Sequence, residues 1–327
     1  MAVLYVDRKT VEVRANGGCI EVWVDSERLQ SLPWIVLERL IFSVNGRVDV
    51  RVLLECAQRQ IPIVFLDRRD WEAFASVTGG ESPDCARRMN QMRCYLEAGW
   101  REEYCRNLVR AKLLSQLRFL SKLQEERVEA RMEARKASDR IRVALEELKP
   151  GKENGTARLR GLEGAAARSY FAAYQQVFPK SFGFRGRTRR PPKDPVNVLL
   201  SLGYTLVHGL AVGAVRRAGL DASLGFLHEV KHGRQSLACD FTELMRSRLD
   251  SLVWDLVRRK EIRKEHFHME GERCLLGKAG RMHFYAAFEE VRPTMGRWLE
   301  SGARLLAKAV DRREVLEEAW NEEDVVF

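Results

Sequence analysis

Residues 77–84 read VTGGESPD. Two glycines, a serine, a proline and an aspartate in so short a run exclude the middle of a helix or strand, and the sequence changes character on either side of it. Upstream, "VLYVD" (3–7), "TVEVRA" (10–15) and "CIEVWVD" (19–25) are short runs rich in Val, Ile and Trp. The last two flank "NGG" (16–18), a strong turn signal, so the spacing predicts a hairpin over residues 10–25. "VDVRVLLECAQRQ" (48–60) reads as a short amphipathic helix feeding the apolar strand "IPIVFLD" (61–67). Downstream, from Cys85 to Lys149, proline is absent, Gly99 is the sole glycine, and Leu, Glu, Arg, Ala and Lys dominate, which predicts helix broken once or twice. The fold class expected is α+β: a small N-terminal β-rich domain over residues 1–80, then a larger all-α C-terminal domain over residues 81–327.

"PGKENGTAR" (150–158) interrupts the helical region, and the apolar, small-residue helix "LEGAAARSYFAAYQQVF" (162–178) follows it. "PKSFGFRGRTRRPPKDPVN" (179–197) is too rich in Pro, Gly and Arg for regular helix or central strand and reads as an extended basic loop. After it come a largely buried helix, "VLLSLGYTLVHGLAVGAVRRAG" (198–219), and two amphipathic helices, "SRLDSLVWDLVRRKEI" (247–262) and "MGRWLESGARLLAKAVDR" (295–312).

With 327 residues, 45% of them hydrophobic and 31% charged, the chain has the composition of a soluble globular protein of two domains. No apolar run reaches the length of about 18 residues expected of a membrane span, and charges occupy the N-terminus where a secretory signal needs its apolar segment. A cytoplasmic protein with no membrane partner is expected. The seven cysteines form no C-x-x-C pair, so neither a disulfide framework nor a zinc ribbon is supported. The net charge of +10 is unevenly placed: residues 1–80 hold 10 Lys and Arg against 11 Asp and Glu, leaving 46 against 35 downstream. That surplus points to a polyanion, and nucleic acid suits it better than an anionic membrane surface, for which no basic amphipathic anchor is present. The alternating charges of residues 124–149, three and four apart, read as a solvated helix face.

"LGFLHEVKHGRQSLACDFTELMR" (224–246) sets a histidine, an aspartate and a glutamate within one largely apolar stretch. Asp240 and Glu243 share a face if the segment is helical from Asp240 onward. Crowded carboxylates repel, and a bound cation relieves the repulsion. Oxygen ligands with a single imidazole suit a hard divalent ion, Mg2+ or Mn2+, better than zinc. Simpler roles are open to each: Asp240 as a helix N-cap with Glu243 completing a capping box, and His228 as an ordinary core or surface histidine. Glu163, at the start of "LEGAAARSYF", supplies a third carboxylate, although an acidic residue at a helix start needs no ligand to explain it. Arg185, Arg187, Arg189, Arg190 and Lys193 crowd the basic loop beside Phe182 and Phe184, a composition that wraps phosphates and offers a stacking surface. Lys231, His232 and Arg234 add positive charge after His228.

"GLEGAAARSYF" (161–171), "FRGRTRRPPKDPVNVLLSLGYTLVHG" (184–209) and "GLDASLGFLHEVKHGRQSLACDF" (219–241), together with the opening "LYVDRKTVEV" (4–13) and "IPIVFLD", resemble the CRISPR-associated protein one family, the integrase subunit of spacer acquisition. The resemblance implies an N-terminal β domain, a larger helical domain, a homodimer, and assembly with CRISPR-associated protein two around a short spacer DNA duplex. It places the family's metal ligands on Glu163, His228 and Glu243, with Asp240 beside the metal. The sequence departs from the family pattern at Lys231 and His232, where an arginine and an aromatic residue are common, and at Cys239, where an apolar residue is usual. The chemistry implied is metal-dependent transesterification, in which a spacer 3′-hydroxyl attacks a phosphodiester of the CRISPR repeat, with Asp240 or a water accepting the proton and basic residues clamping the DNA. Hydrolysis of branched or single-stranded DNA by the same site, and a DNA-binding scaffold with little activity of its own, are the competing readings.

Overall fold

The computed structural model describes residues 2–8, 10–67, 74–77, 84–149, 155–188 and 191–314. Two compact units divide it, Met1–Ser82 and Pro83–Phe327.

The first unit holds two four-stranded sheets. Strands β1 (Ala2–Val6), β5 (Leu37–Phe42), β7 (Ile63–Leu66) and β8 (Phe74–Val77) lie side by side in that order, the first three parallel and β8 antiparallel to β7. The second sheet runs β4 (Glu27–Pro33), β3 (Cys19–Val24), β2 (Val11–Asn16), β6 (Arg47–Val48). Its β2–β3 pair is the hairpin foretold by "NGG", in register from Val11 opposite Val24 to Asn16 opposite Cys19. Side chains alternate as a half-buried strand requires, Val11 and Val13 inward and Glu12 outward. Helix α1 (Val50–Gln58) starts at Asp49, whose carboxylate accepts from Arg51 N, and buries Val52 and Cys56, four residues apart, in the core with Val13, Ile20, Leu40 and Ile63.

The second unit is built on helices α2 (Cys85–Leu96), α3 (Ala98–Glu126), α4 (Arg131–Glu147), α5 (Gly155–Gln175), α6 (Pro195–Arg217), α7 (Ser236–Arg258) and α8 (Lys278–Arg312). The helical run after residue 84 breaks twice, at Glu97 and Arg127, each in extended conformation. The unit also carries one element beyond the all-α expectation, an antiparallel hairpin of β9 (Phe267–Glu270) and β10 (Arg273–Leu276). Four-residue strands with exposed charges leave little period to read in sequence.

Helix α6 is the hydrophobic axis of this unit. By length and composition it is the one described helix that matches a membrane span, which corrects the expectation that no apolar run reaches that length, yet 89% of its most apolar window is buried inside the fold. Asp194 caps its first turn by accepting from Asn197 N at 2.9 Å, and Pro195 occupies the first helical position. Gly203 brings α6 against α7: a Cβ there would lie 2.5 Å from the Leu249 side chain. Helix α3 packs against both α7 and α5, and Tyr170 and Tyr174 of α5 reach Asp250 of α7, so that polar residues on three helices face one interior.

Candidate active site

His228 arrives on the irregular segment between α6 and α7, and irregular backbone inside a protein needs partners for its polar groups. They come from several directions. Gln91 on α2 donates to the carbonyls of Asp221 and Leu224 and accepts from Asp221 N; Arg101 on α3 donates to Phe226 O at 2.8 Å. Gly225 permits the closest approach, since a Cβ there would stand 2.5 Å from the backbone of Ser236.

Asp240 supplies the rest. Its carboxylate, fully buried, accepts from the backbone N–H groups of Phe226 at 2.7 Å, Leu227 at 3.2 Å and His228 at 2.9 Å. A fourth bond, 2.7 Å, joins Asp240 Oδ1 to His228 Nδ1. With the carboxylate as acceptor, Nδ1 carries a hydrogen, and Nε2 on the far side of the ring lies 3.9 Å from Glu243 Oε1. Helix α7 starts at Ser236, four residues before Asp240, and α5 starts at Gly155, eight before Glu163. Asp240 is therefore no N-cap, Glu243 closes no capping box, and Glu163 is not a helix-start charge. The simpler sequence readings of these three carboxylates fail on where the helices begin.

Glu163 and Glu243 meet at Lys112, which projects from α3. Its ammonium donates to Glu163 Oε1 and, at 2.6 Å, to Glu243 Oε2. Arg246, one turn along α7, pairs with the other oxygen of Glu243 at 2.8 Å. Burial by itself pushes the Glu243 carboxyl up, but Arg246, Lys112 and His228 together outweigh it and bring the pKa down to about 2. Among the described residues, no three His, Cys, Asp or Glu side chains converge closely enough to hold an ion together, and Lys112 stands between the two glutamates. The donor chemistry nonetheless fits a hard divalent ion. Two carboxylates already share one cation, the ammonium standing in for a metal, and the nearby imidazole is held by its other nitrogen as metal-ligating histidines are.

Behind this cluster lies a second buried carboxylate. Asp250, also on α7, accepts from the hydroxyls of Tyr204 and Tyr170, the latter at 2.8 Å, while Tyr174 donates to its backbone carbonyl. Burial raises its pKa to about 6 despite these bonds and the nearby guanidinium of Arg246. Tyr204 is flanked by two guanidinium groups, Arg246 at 4.8 Å and Arg187 at 5.5 Å from the ring centroid.

The basic loop divides. Arg185, Lys193 and Lys231 are exposed, with Lys193 loosely paired to Glu272 at 3.5 Å. Arg187 instead turns inward, donating to Asn197 Oδ1 and Ser201 Oγ, each at 2.9 Å. Asn197 also accepts from Thr188 N and donates to Gly186 O, so the loop is tied to the start of α6. Arg234 is half-buried and donates to Glu229 O and Ser236 Oγ. Arg189 and Arg190 lie outside the described residues. The stacking surface expected of Phe182 and Phe184 is not offered: both rings are buried, Phe182 against Phe267 of the hairpin and Phe184 against Tyr174 and Phe178.

The CRISPR associated protein Cas1 family model matches residues 4–290. The chain belongs to this Cas1 family. A CRISPR-associated endonuclease Cas1 of Thermodesulfovibrio yellowstonii is 33% identical over 292 residues, covering 89% of this chain and 91% of the relative. Among solved structures, a casposase bound to integration product superposes with a TM-score of 0.84 at 20% identity, covering 100% of this chain and 96% of that one. A Cas6-RT-Cas1–Cas2 complex gives a TM-score of 0.84 at 19% identity; all of this chain is covered, and 36% of that one.

Family motifs point to Glu163, His228, Asp240 and Glu243 but not to Lys112, Arg246 or Tyr204. The signal for Lys112 was present: Leu108, Val109, Gln116 and Phe119 lie three, four or seven positions away, so the lysine belongs to the buried face of α3.

Proposed function

We propose that this Cas1 chain is a metal-dependent DNA integrase of CRISPR adaptation, joining the 3′-hydroxyl ends of a spacer duplex to the CRISPR repeat by transesterification. The observation that carries the reading is the Asp240 cage, which fixes His228 with Nε2 turned toward Glu243, beside a carboxylate pair that already shares a cation. The casposase of the same fold holds an integration product, and the relative named an endonuclease supports phosphodiester chemistry at such a site.

Glu163, Glu243 and His228 Nε2 would hold Mg2+ or Mn2+. A divalent ion bound there neutralises charge growing on the reacting phosphate and favours ionisation of the attacking hydroxyl. Asp240 has four donors on its two oxygens, so it orients His228 and leaves proton acceptance to solvent. The exposed Arg185, Lys193 and Lys231 engage backbone phosphates, while Arg187 and Arg234 hold the loops that carry them. Homodimerisation and assembly with CRISPR-associated protein two belong to the same proposal, the latter supported by the Cas1–Cas2 complex of like fold.

A strand-transfer assay tests it: labelled duplex with free or dideoxy-blocked 3′ ends, a supercoiled plasmid bearing a CRISPR repeat, Mg2+ or Mn2+, CRISPR-associated protein two, and wild type beside His228→Ala. Joining that needs free ends and falls by at least about a hundredfold in the variant is expected. Cleavage indifferent to the 3′ block replaces this reading with a nuclease; binding that never leads to reaction replaces it with a scaffold.

A further inference from the structure

Lys112 is the one cationic side chain in this cluster that bridges both glutamates. It comes from the middle of α3, is 5% exposed, and two of the three donors of its ammonium point at oxygens of two different carboxylates. One of those carboxylates, on α7, is itself 4% exposed. Without a positive charge between them, Glu163 and Glu243 would repel across the interior, so Lys112 keeps them at a spacing a cation can use.

The same geometry makes Lys112 a competitor. A divalent ion that binds Glu163 and Glu243 together needs oxygens now engaged by the ammonium, and two cations cannot share them without strong repulsion. Resting on the metal-binding reading above, we infer that Lys112 is an internal counter-ion which holds the two glutamates in place in the metal-free protein and must withdraw from them when the ion enters. It thereby sets how tightly the ion binds. Arg246 makes the exchange possible, since it pairs with Glu243 Oε1, the oxygen Lys112 does not touch, and keeps that carboxylate partly neutralised throughout. A lysine suits the task better than an arginine. Its ammonium is a compact point charge on a flexible stem that lets go of one oxygen at a time, whereas a guanidinium grips a carboxylate with a planar fork.

The test is direct titration of Mn2+ into the DNA-free full chain, by calorimetry and by electron paramagnetic resonance of the free ion, for wild type, Lys112→Met and Lys112→Arg. Lys112→Met, which keeps length and volume but removes the competing charge, is expected to bind Mn2+ about tenfold more tightly, and Lys112→Arg about tenfold more weakly. Saturating Mn2+ should raise the melting temperature of Lys112→Met more than that of wild type, because the variant alone begins without a charge bridging the two glutamates. Equal or weaker binding by Lys112→Met overturns the inference. If that variant folds in neither condition, Lys112→Arg decides: wild-type affinity there also overturns it. A wild-type chain that binds no Mn2+ at all refutes the metal site itself, a different result from unchanged affinity among variants.

Discussion

Glu243 and Asp250 are seven residues apart on α7, so they share a face of one helix, and both are almost completely buried. Their pKa values move in opposite directions, Glu243 down to about 2 and Asp250 up to about 6. Burial pushes both upward, so burial is not what separates them. Glu243 has two cationic partners, Lys112 and Arg246, while Asp250 receives its hydrogen bonds from tyrosine hydroxyls, which carry no charge to offset desolvation. Asp240, one turn before Glu243, adds a third arrangement: four N–H donors, three of them backbone. Cationic side chains can exchange with a metal. Backbone donors fix geometry, and tyrosine hydroxyls hold a carboxylate in place without neutralising it.

The sharpest way to break that comparison is Asp240→Asn. An amide keeps one acceptor oxygen and turns an NH2 toward groups that already donate, so the cage around residues 226–228 opens. Joining should fall by about 10- to 100-fold and folding stability by about 3 kcal/mol. Denaturant unfolding reads the second quantity, and 15N shifts of the His228 ring should report a loss of the fixed tautomer. Wild-type ring shifts in the variant would show that Asp240 fills space and nothing more.

Asp250→Asn should do the opposite, because tyrosine hydroxyls can accept as well as donate. A carboxyl with a raised pKa keeps its proton more tightly in the folded chain than in the unfolded one, so its contribution to stability declines as pH climbs from about 4 to about 6 and then levels off. Glu243 has the reverse sign: its contribution is full above about 4.5 and is lost as pH falls toward 2. The asparagine should therefore gain up to about 3 kcal/mol over wild type at pH 8 and nothing at pH 3.5. A difference independent of pH would mean that Asp250 is not the group being desolvated.

The smallest effect separates residues of the basic loop. Lys193→Ala should lower the slope of log K against log salt for DNA binding by about one. Arg187→Ala should leave the slope unchanged and lower the melting temperature, since its guanidinium serves Asn197 and Ser201. Reversal of the two results would put Arg187 on DNA and Lys193 on Glu272.

These contrasts also mark where the sequence stopped being legible. "NGG" and the alternating valines of β2 and β3 specify a hairpin locally, and the proline-free stretch from Cys85 to Lys149 specifies helix, so these elements were readable; strands β4 and β5 and the first half of α8, which runs through Pro293, were not. The start of α7 was not. Gln235 precedes it without capping it, so nothing in the pattern separated a helix beginning at Ser236 from one beginning at Asp240. Side-chain direction in irregular segments has no period at all, which is why Arg187, Phe182 and Phe184 read as solvent-facing and are packed inward. Lys112 was hidden for a third reason: a lysine on an apolar face is easily taken as a solvated exception until a second helix supplies its partners.

The two sides of the cluster also differ in how far the chain must travel to make them. Asp240 reaches back only 12 to 14 residues to cage His228, whereas Lys112 must find Glu163 across 51 residues and Glu243 across 131. Short loops close early and at small entropic cost, and distant ones wait for the surrounding helices to dock. The Asp240–His228 contact thus closes a short loop, while the glutamate pair needs α3, α5 and α7 docked together. The spacing of the two glutamates is therefore a property of how three helices dock, whereas the setting of His228 by Asp240 belongs to one short segment.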